Sequence, residues 1–385
     1  MGIKENAFAY IDAHRNEMLK MWEELVNIDS GSDYKPGVDK VVAKVADILT
    51  AMGGKTRIVE HEKAGNAVVS EFGDCANKPF IILTGHLDTV FSNPEETKKR
   101  PFTIKDGRAY GPGALDMKGG VTLAIHGLKA LLAEGFDKYA FKVVFAGDEE
   151  TGHKSSDLAE TMMKEFKGAA AAFDFETGFM NDNVVVERKG FYRFSMETFG
   201  RSVHAGNEPE NGRNAIVELA HKALDIDALT DWETGTTMNV GTIEGGTVAN
   251  AVPGYAKMVV DVRYLDPVDF EKKKEQFQAI ADKVYIKDVT TKYTPLAGLE
   301  PMVRLDGSMK LFDVYKSVYE ENGFGHPEPI MVGGGSDATY TTKVGVPTVC
   351  AVGVKGGLNH TVDEFADVES MFMRAKVFIG TVLKL

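Results

Sequence analysis

The spacing of apolar side chains predicts that the chain opens with helices and continues with strands. Residues Ala7–Val26 and Val38–Met52 place apolar side chains three or four positions apart, which is typical of helices with one buried face. Short apolar runs then predict strands at Thr56–Glu60, Ala67–Phe72 and Phe80–Leu83. Because the last run is almost wholly apolar, we expect that strand to be buried on both faces.

Strands and helices continue to alternate up to residue 189, and the alternation returns after residue 298. Apolar runs at Phe141–Phe145 and Ala171–Phe175 predict two further strands, with a helix predicted at residues 121–132. This order predicts an α/β fold with a mixed sheet flanked by helices. In such folds ligands bind beyond the carboxyl ends of the strands.

The middle of the chain has a different pattern. Between residues 190 and 298 the order of elements is β-α-β-β-α-β, and the first strand alternates apolar with polar residues. This order is typical of a ferredoxin-like α+β domain. We therefore predict a catalytic domain formed by residues 1–189 and 299–385, with residues 190–298 inserted into it.

Composition narrows the classes of partner. The chain has 385 residues and a formal net charge of -13, which argues against nucleic acid or an anionic membrane as the main partner. The two cysteines, Cys75 and Cys350, lack the spacing of a disulfide framework or a thiolate metal site. No signal peptide and no long apolar span are found in the sequence, so we expect a cytoplasmic protein.

Polar side chains follow several of the predicted strands. Each has an ordinary structural explanation: Asp116 could cap a helix, the acids at 148–150 could be solvated, and a lone loop histidine is usually at the surface. Together, however, histidines and acids at strand ends form the nitrogen and oxygen ligand set of a hydrolytic pair of zinc-like ions. The residues in question are His86, Asp88, Asp116, Glu149, Glu150, Glu176 and His360.

The same residues lie in sequence blocks that occur in a fixed order. These blocks are Gly85–Asp88, Gly113–Gly120, Asp148–Glu150, Phe175–Glu176, Ser202–Gly206, Asn250–Pro253, Asp261–Arg263 and Gly333–Asp337. From about Gly65 to Leu385 the chain resembles the co-catalytic zinc metallopeptidase family of glutamate carboxypeptidase, acetylornithine deacetylase, succinyl-diaminopimelate desuccinylase and the aminoacylases. Within that family it is most similar to the glutamate carboxypeptidase branch.

The resemblance implies a role for each ligand. Asp116 would bridge two divalent metal ions, His86 and Glu176 would complete one site, and Glu150 and His360 would complete the other. Asp174 is the alternative if the register at Glu176 is wrong. Zinc is the expected metal, with cobalt or manganese as alternatives.

The resemblance also implies catalytic and substrate-binding residues. Asp88 would orient His86, and Glu149 would be the general base, because neighbouring side chains in an extended segment point to opposite sides. His204 would donate to the developing oxyanion. The residues expected to bind substrate are Asn250, Arg263, Gly334, Gly335 and Ser336.

The implied reaction is hydrolysis of an amide bond in a small peptide or N-acyl amino acid with a free carboxylate. Release of a C-terminal amino acid is the first expectation, and N-acyl-amino-acid deacylase or dipeptidase activity is the alternative. The inserted segment would act as a lid and dimerisation domain, so a homodimer is expected.

Two other classes of function are compatible with parts of the sequence. The chain could be a non-catalytic relative that binds a metal or a peptide, although Glu149 is present. The glycines of Gly333–Ser336 could instead cradle a phosphate, but the tract lacks the Lys-Ser/Thr ending of a phosphate-binding loop. Sequence alone leaves the substrate side chain and the native metal open.

Overall fold

The computed structural model describes residues 2–385, and helices account for much of that part of the chain. The helices are α1 (Ile3–Ala13), α2 (Arg15–Val26), α3 (Lys35–Ala51), α4 (Glu96–Lys99), α5 (Gly119–Ala133), α6 (Leu158–Phe166), α7 (Ala215–Asp227), α8 (Pro267–Asp282), α9 (Asp306–Glu321), α10 (Ala338–Lys343) and α11 (Val368–Lys384).

The strands alternate with these helices. They are β1 (Lys55–Val59), β2 (Ala67–Phe72), β3 (Phe80–His86), β4 (Thr103–Lys105), β5 (Arg108–Tyr110), β6 (Ala140–Ala146), β7 (Ala171–Asp174), β8 (Gly178–Phe179), β9 (Val184–Arg188), β10 (Gly190–Phe199), β11 (Thr237–Gly245), β12 (Tyr255–Tyr264), β13 (Thr290–Leu299), β14 (Pro329–Val332), β15 (Thr348–Cys350), β16 (Lys355–Gly357) and β17 (Phe365–Asp367).

These elements form two compact units. Unit 1 contains the residues up to Glu187, together with Met302–Val332 and Ser336–Leu385. Unit 2 contains Arg188–Pro301 and Gly333–Gly335. The segment 190–298, which the sequence pattern marks as an insertion, lies within unit 2.

Unit 1 is built on a mixed sheet. Its strand order is β1-β2-β6-β3-β7-β15-β9-β14. The central strands β6, β3, β7 and β15 run parallel, whereas β1, β2 and β9 pair antiparallel with their neighbours. All seven residues of β3 are buried, as its apolar composition predicts. The predicted α/β class with a mixed sheet is therefore confirmed.

The register of the parallel strands brings three strand ends together. His86 at the end of β3 lies opposite Ala146 at the end of β6, and Thr84 lies opposite Asp174 at the end of β7. The segments that follow these strands therefore leave the sheet at one edge. Asp88, the acids at 148–150 and Glu176 are all carried by those segments.

The N-terminal helix is interrupted where the sequence pattern predicted one helix over Ala7–Val26. His14 has φ -106° and ψ 17°, so α1 ends before it and α2 begins after it. Its ring stacks on Tyr10 at a centroid distance of 3.8 Å, and Nδ1 lies 2.7 Å from the Tyr10 carbonyl oxygen. The apolar spacing continues across this break, which explains why the pattern did not show it.

A second sheet in unit 1 was not predicted. Its order is β4-β5-β17-β16-β8, and each strand has only two or three residues. Pairing of β5 with β17 joins Tyr110 to Phe365. The sheet therefore holds the loop between β16 and β17, which carries His360, in unit 1.

Unit 2 has the ferredoxin-like arrangement that the element order predicted. Its sheet has the order β11-β12-β10-β13, and all neighbours are antiparallel. The inner residues of β10 and β12 pack with those of α7 and α8 in a separate core that includes Phe194, Met258, Leu219 and Phe277.

Within residues 2–385, no helix combines the length and the apolar character that a membrane crossing requires.

Candidate metal centre

Two groups of side chains in unit 1 have the geometry of metal ligands. The inner group is His86, Asp116 and Glu176, and the outer group is Asp116, Glu150 and His360. Within each group one donor atom from every residue lies within 4.8 Å of the others. Asp116 belongs to both groups, which is the arrangement expected of a ligand that bridges two ions.

The two carboxylate oxygens of Asp116 face different histidines. Oδ1 lies 3.1 Å from His86 Nε2, and Oδ2 lies 3.2 Å from His360 Nε2. Asp116 does not cap helix α5, which begins three residues later, and its own backbone is non-helical (φ -113°, ψ 94°). The capping explanation for Asp116 is therefore wrong, and its carboxylate is directed to the two groups.

His86 is fixed by its neighbours on both sides of the ring. Nδ1 lies 3.0 Å from the Asp88 carbonyl oxygen and 3.4 Å from Asp88 Oδ1, so it donates its proton toward Asp88. Nε2 then faces Asp116 and also Glu176 Oε1 at 3.5 Å. An imidazole held in this way presents Nε2 to a metal ion.

Asp88 also organises the loop that carries the acids. Its Oδ1 accepts a hydrogen bond from the Glu149 backbone N–H at 3.2 Å, and its Oδ2 accepts one from the Glu150 N–H at 3.2 Å. The Ser32 hydroxyl donates to Oδ2 at 2.7 Å. The Asp88 side chain is fully buried, so these donors replace the water that its charge would otherwise bind.

Glu149 and Glu150 lie on a turn and not on an extended segment. Residues Glu149–Thr151 form a single 3₁₀ turn, so our reason for assigning them to opposite sides is wrong. Glu150 Oε2 nevertheless lies 3.4 Å from His360 Nε2, within the outer group, whereas Glu149 is in neither group. The two neighbours therefore differ in position as expected, for a different structural reason.

His360 reaches the outer group from a loop near the end of the chain. It has a left-handed backbone (φ 64°), and its side chain is 52% exposed. Asn359 Nδ2 donates to Asp116 Oδ2 at 3.4 Å. The loop is thus anchored to the same carboxylate oxygen that His360 approaches.

The donor set fits divalent metal ions. It consists of imidazole nitrogens and carboxylate oxygens, the ligands that zinc, cobalt and manganese share in hydrolytic enzymes. Glu150 Oε1 is buried and has no hydrogen-bond partner within residues 2–385. A buried acceptor without a donor is costly unless a cation is close to it.

The pKa values reflect an acid-rich site. Burial would lower the pKa of His86, but hydrogen bonds to Asp116 and Asp88 outweigh it and raise that pKa well above 6.5. The hydrogen bond to Asp116 raises the pKa of His360 to about 9. Burial raises the pKa of Glu150 to about 7 and that of Glu149 well above its usual value. In the metal-free protein, protons on these groups offset the crowded negative charge.

The expected substrate residues of unit 2 form hydrogen bonds within that unit. Arg263 Nε donates to Asp261 Oδ1 at 2.7 Å, and its Nη1 donates to the Gly333 carbonyl oxygen at 3.1 Å. His204 is exposed, and its Nδ1 accepts from the Gly206 N–H at 3.1 Å. The Asn250 carbonyl oxygen accepts from the Ala205 N–H at 2.9 Å.

The glycine-rich tract is held by a residue that we did not anticipate. Arg188 Nη1 donates to the carbonyl oxygens of Gly334 and Gly335, both at 3.1 Å. In unit 1, the Ser336 hydroxyl is fully buried and donates to Asp174 Oδ2 at 2.9 Å. Asp174, the alternative to Glu176, is in neither ligand group within residues 2–385.

Other contributors to the site were also missed from sequence. They are Ser32, which bonds Asp88; Asn359, which bonds Asp116; and Glu364, whose Oε1 accepts from the Leu115 N–H at 3.1 Å. Ser32 and Glu364 stand far in sequence from the residues that they support. Asn359 adjoins His360, and that neighbourhood was the one available signal.

A mixed α/β sheet with the inner group at its strand ends and the outer group on neighbouring loops is the arrangement expected of a metallohydrolase. The chain belongs to peptidase family M20/M25/M40, because the model of that family matches residues 82–384. Members of this family are metal-dependent hydrolases that use divalent ions. The resemblance inferred from the sequence blocks is therefore confirmed.

Relatives within the family span nearly the whole chain. Carboxypeptidase G2 from Pseudomonas sp. (strain RS-16) is 28% identical over 374 residues, which cover 94% of this chain and 88% of that protein. Acetylornithine deacetylase from Myxococcus xanthus is 27% identical over 368 residues, covering 90% and 92%.

A solved structure shows the same fold. The crystal structure of aminopeptidase PepT from Bacillus cereus matches with a TM-score of 0.78 and 23% identity, covering 96% of this chain and 98% of that one.

Proposed function

We propose that this protein hydrolyses an amide bond and releases the C-terminal amino acid of a small peptide or N-acyl amino acid. The observation that carries the proposal is the pair of ligand groups that share Asp116. The inner and outer groups would each hold one divalent ion, with zinc expected before cobalt or manganese. When bound, such ions activate water and polarise a carbonyl group.

Glu149 would act as the general base. Its backbone is held by Asp88 through the 3.2 Å hydrogen bond, and its carboxylate lies outside both ligand groups. Burial raises the pKa of Glu149, which makes it a stronger proton acceptor than an exposed glutamate. It would take a proton from the attacking water and deliver it to the leaving amine.

Asp88 would serve the reaction without touching the substrate. It fixes the ring of His86 and, through two backbone hydrogen bonds, the turn that carries Glu149 and Glu150. A single carboxylate therefore positions one proposed ligand from each group and the proposed base.

Residues of unit 2 would bind the substrate. His204 is the proposed donor to the oxyanion, while Asn250 and Arg263 are the proposed partners of the substrate carboxylate. Arg263 has a side chain that is 31% exposed, so it can accept a ligand in addition to Asp261. Gly334 and Gly335 belong to the same unit, and their backbone would also bind the substrate. The Ser336 hydroxyl is fully buried and bonded to Asp174, so it would act on the position of this tract and not on the substrate.

Unit 2 would also act as the lid and as the dimerisation domain of a cytoplasmic homodimer. Its edge strand β11 and helix α7 carry exposed apolar side chains, among them Ile243 and Leu224, which are 54% and 69% exposed. Apolar side chains on an edge strand favour pairing with another chain. A fully active monomer in sedimentation and assay would contradict the dimer.

Two other functions are compatible with the same site. Acetylornithine deacetylase is among the relatives, so N-acyl-amino-acid deacylase or dipeptidase activity is the second candidate. A non-catalytic relative that binds a metal or a peptide is the candidate of another class. The likeness to carboxypeptidase G2 favours release of a C-terminal residue.

The test is amino-acid release from a panel of dipeptides, longer peptides and N-acyl amino acids, with zinc, cobalt or manganese added. Glu149→Gln is the matched variant, since it keeps the size of the side chain and removes the base. We expect it to retain its metal and to lose roughly 100- to 10,000-fold in kcat. If the metal-loaded protein cleaves no member of the panel, or the variant stays fully active, the proposal is wrong.

A further inference from the structure

A buried chain of three charged side chains lies in unit 1 outside both ligand groups. His153 Nδ1 is 2.7 Å from Asp148 Oδ1, and His153 Nε2 is 2.7 Å from Asp337 Oδ1. None of the three side chains is more than 4% exposed. Because both ring nitrogens face carboxylate oxygens, both donate and the ring carries a positive charge.

The two acids belong to segments that are distant in sequence. Asp148 directly precedes the Glu149–Thr151 turn, and Asp337 directly follows the Gly333–Ser336 tract and starts helix α10. The Ser156 hydroxyl donates to Asp148 Oδ2 at 2.6 Å, so each carboxylate oxygen of Asp148 is bonded to a residue that follows it in the same loop. His153 is thus a direct link across 184 positions between the loop of the proposed base and the start of α10.

The conformation of His153 indicates that the ring is placed for this contact. Its backbone is left-handed (φ 53°), a conformation that non-glycine residues seldom adopt. Burying two carboxylates and an imidazolium also carries a desolvation penalty that well-packed apolar side chains would avoid. A link that served only stability would be replaceable by apolar packing, so its directional geometry needs another explanation.

We propose that His153 is a positioning residue, which through Asp148 holds the Glu149 turn in register with the Ser336–Asp337 segment. This inference rests on the proposed function. If Glu149 is the general base, its carboxylate must be held within reach of the water that it deprotonates, and the His153 link would serve that need. His153 touches neither ligand group. It acts through Asp148 on one side and Asp337 on the other.

The first test measures the link without any metal or substrate. Hydrogen exchange of the metal-free protein would be compared between wild type, His153→Gln and the control His126→Gln. His126 is a buried histidine in α5 with no hydrogen-bond partner for either ring nitrogen within residues 2–385. It therefore reports the effect of replacing a buried ring without breaking a link.

We expect His153→Gln to raise exchange at least tenfold in two segments together, residues 148–157 and 337–343. The control should leave both segments unchanged relative to the rest of unit 1. If exchange rises in only one segment, or in neither, His153 does not join them and the proposal is overturned.

The second test measures catalysis. We expect His153→Gln to lower kcat 10- to 100-fold, with KM within twofold of wild type and with full metal content, while the control changes neither constant. An unchanged kcat, or a loss no larger than the loss of bound metal, would overturn the proposal. A purely structural residue would lower the amount of active protein and leave kcat per bound metal unchanged.

Asp337→Asn tests the other end of the link, because the amide has the same shape as the carboxylate but no charge. If His153→Gln does not fold, Asp337→Asn replaces it as the test variant. It should lower kcat in the same way, and the double variant should be no more than twofold worse than the worse single variant. Multiplied effects would show that the residues act independently and would contradict the link. If wild type cleaves no amide, the proposed function fails, whereas hydrogen exchange still decides whether His153 joins the two segments.

Discussion

The inner and outer ligand groups share Asp116 but are built in different ways. In the inner group His86 is the last residue of β3 and Glu176 follows the neighbouring parallel strand β7, and the three residues of the group are all buried. In the outer group Glu150 lies on a short turn, and His360 lies on a loop with its side chain half exposed. The inner group is therefore held by the sheet, whereas the outer group depends on loops that are anchored by hydrogen bonds.

This difference predicts an order of affinity. A site whose ligands are fixed before binding loses little conformational freedom when the ion enters, so the inner group should bind more tightly. In the outer group the His360 side chain is 52% exposed and is held less firmly, so its fixation by an ion should cost more conformational freedom. We expect the first equivalent of metal to enter the inner group and the second to enter the outer one.

Removal of the shared ligand should have the largest effect. Asp116→Asn replaces the carboxylate that the two groups share with a neutral amide, so each group would lose a charged ligand. We expect activity to fall at least roughly 1000-fold, about 4 kcal/mol of barrier, and metal content to fall in both groups. Metal analysis after dialysis, with activity measured on the same samples, provides the check. Retention of two tightly bound ions would show that Asp116 is not a bridge.

Replacement of each histidine should affect a different ligand group. His360→Ala should keep the inner ion and lose the outer one, whereas His86→Ala should lose the inner ion. His86→Ala should also cost about 3–5 kcal/mol in unfolding free energy, because it removes a buried positive partner from the acids that surround it. At the half-exposed His360 the cost should be about 1 kcal/mol or less. Equal effects on stability in urea titrations would contradict the contrast between the groups.

The affinity of the outer group should depend on pH in two stages. A proton on His360, whose pKa is raised to about 9, must leave before an ion binds, and so must a proton on Glu150, whose pKa is raised to about 7. Affinity should therefore rise with pH, and more steeply at low pH, where both groups hold a proton, than at higher pH, where His360 alone does.

Calorimetric titration of the second equivalent, in two buffers with different heats of ionisation, measures the protons released. We expect more protons to be released at pH 6 than at pH 8. The same number at both values would mean that Glu150 is not a ligand of that ion.

The smallest effect on activity should come from loss of the hydrogen bond that Ser32 donates to Asp88. Ser32→Ala removes one of the donors to the Asp88 carboxylate and leaves the backbone donors of Glu149 and Glu150 in place. We expect kcat to fall roughly two- to tenfold with metal content unchanged. Ser30→Ala is the matched control, because its hydroxyl donates to the Leu87 carbonyl oxygen and not to Asp88. Equal losses in the two variants would indicate a general effect on this segment.

The contrast between the groups also explains what the sequence could predict. His86 and Glu176 follow apolar strands, so hydrophobic pattern placed them at one edge of the sheet. His360 lies between two strands of only three residues each, which have no detectable period, and its assignment came from family resemblance. The five-stranded sheet that positions it was missed for the same reason.

Supporting residues could not be predicted because their partners are distant along the chain. Ser32 meets Asp88 across 56 positions and Glu364 meets Leu115 across 249 positions. Neither residue belongs to a local pattern, since its role depends on tertiary contacts. The turn at Glu149–Thr151 was misjudged because a run of acids has no preference that separates a 3₁₀ turn from an extended loop.

The order of the ligands along the chain has a consequence for biosynthesis. Every ligand of the inner group has been made once Glu176 has been added, whereas the outer group waits for His360, 184 residues later. A nascent chain therefore carries the ligands of one ion long before it can hold two. The ribosome completes the inner group first, and the proposed pair of ions could form only when the protein is almost finished.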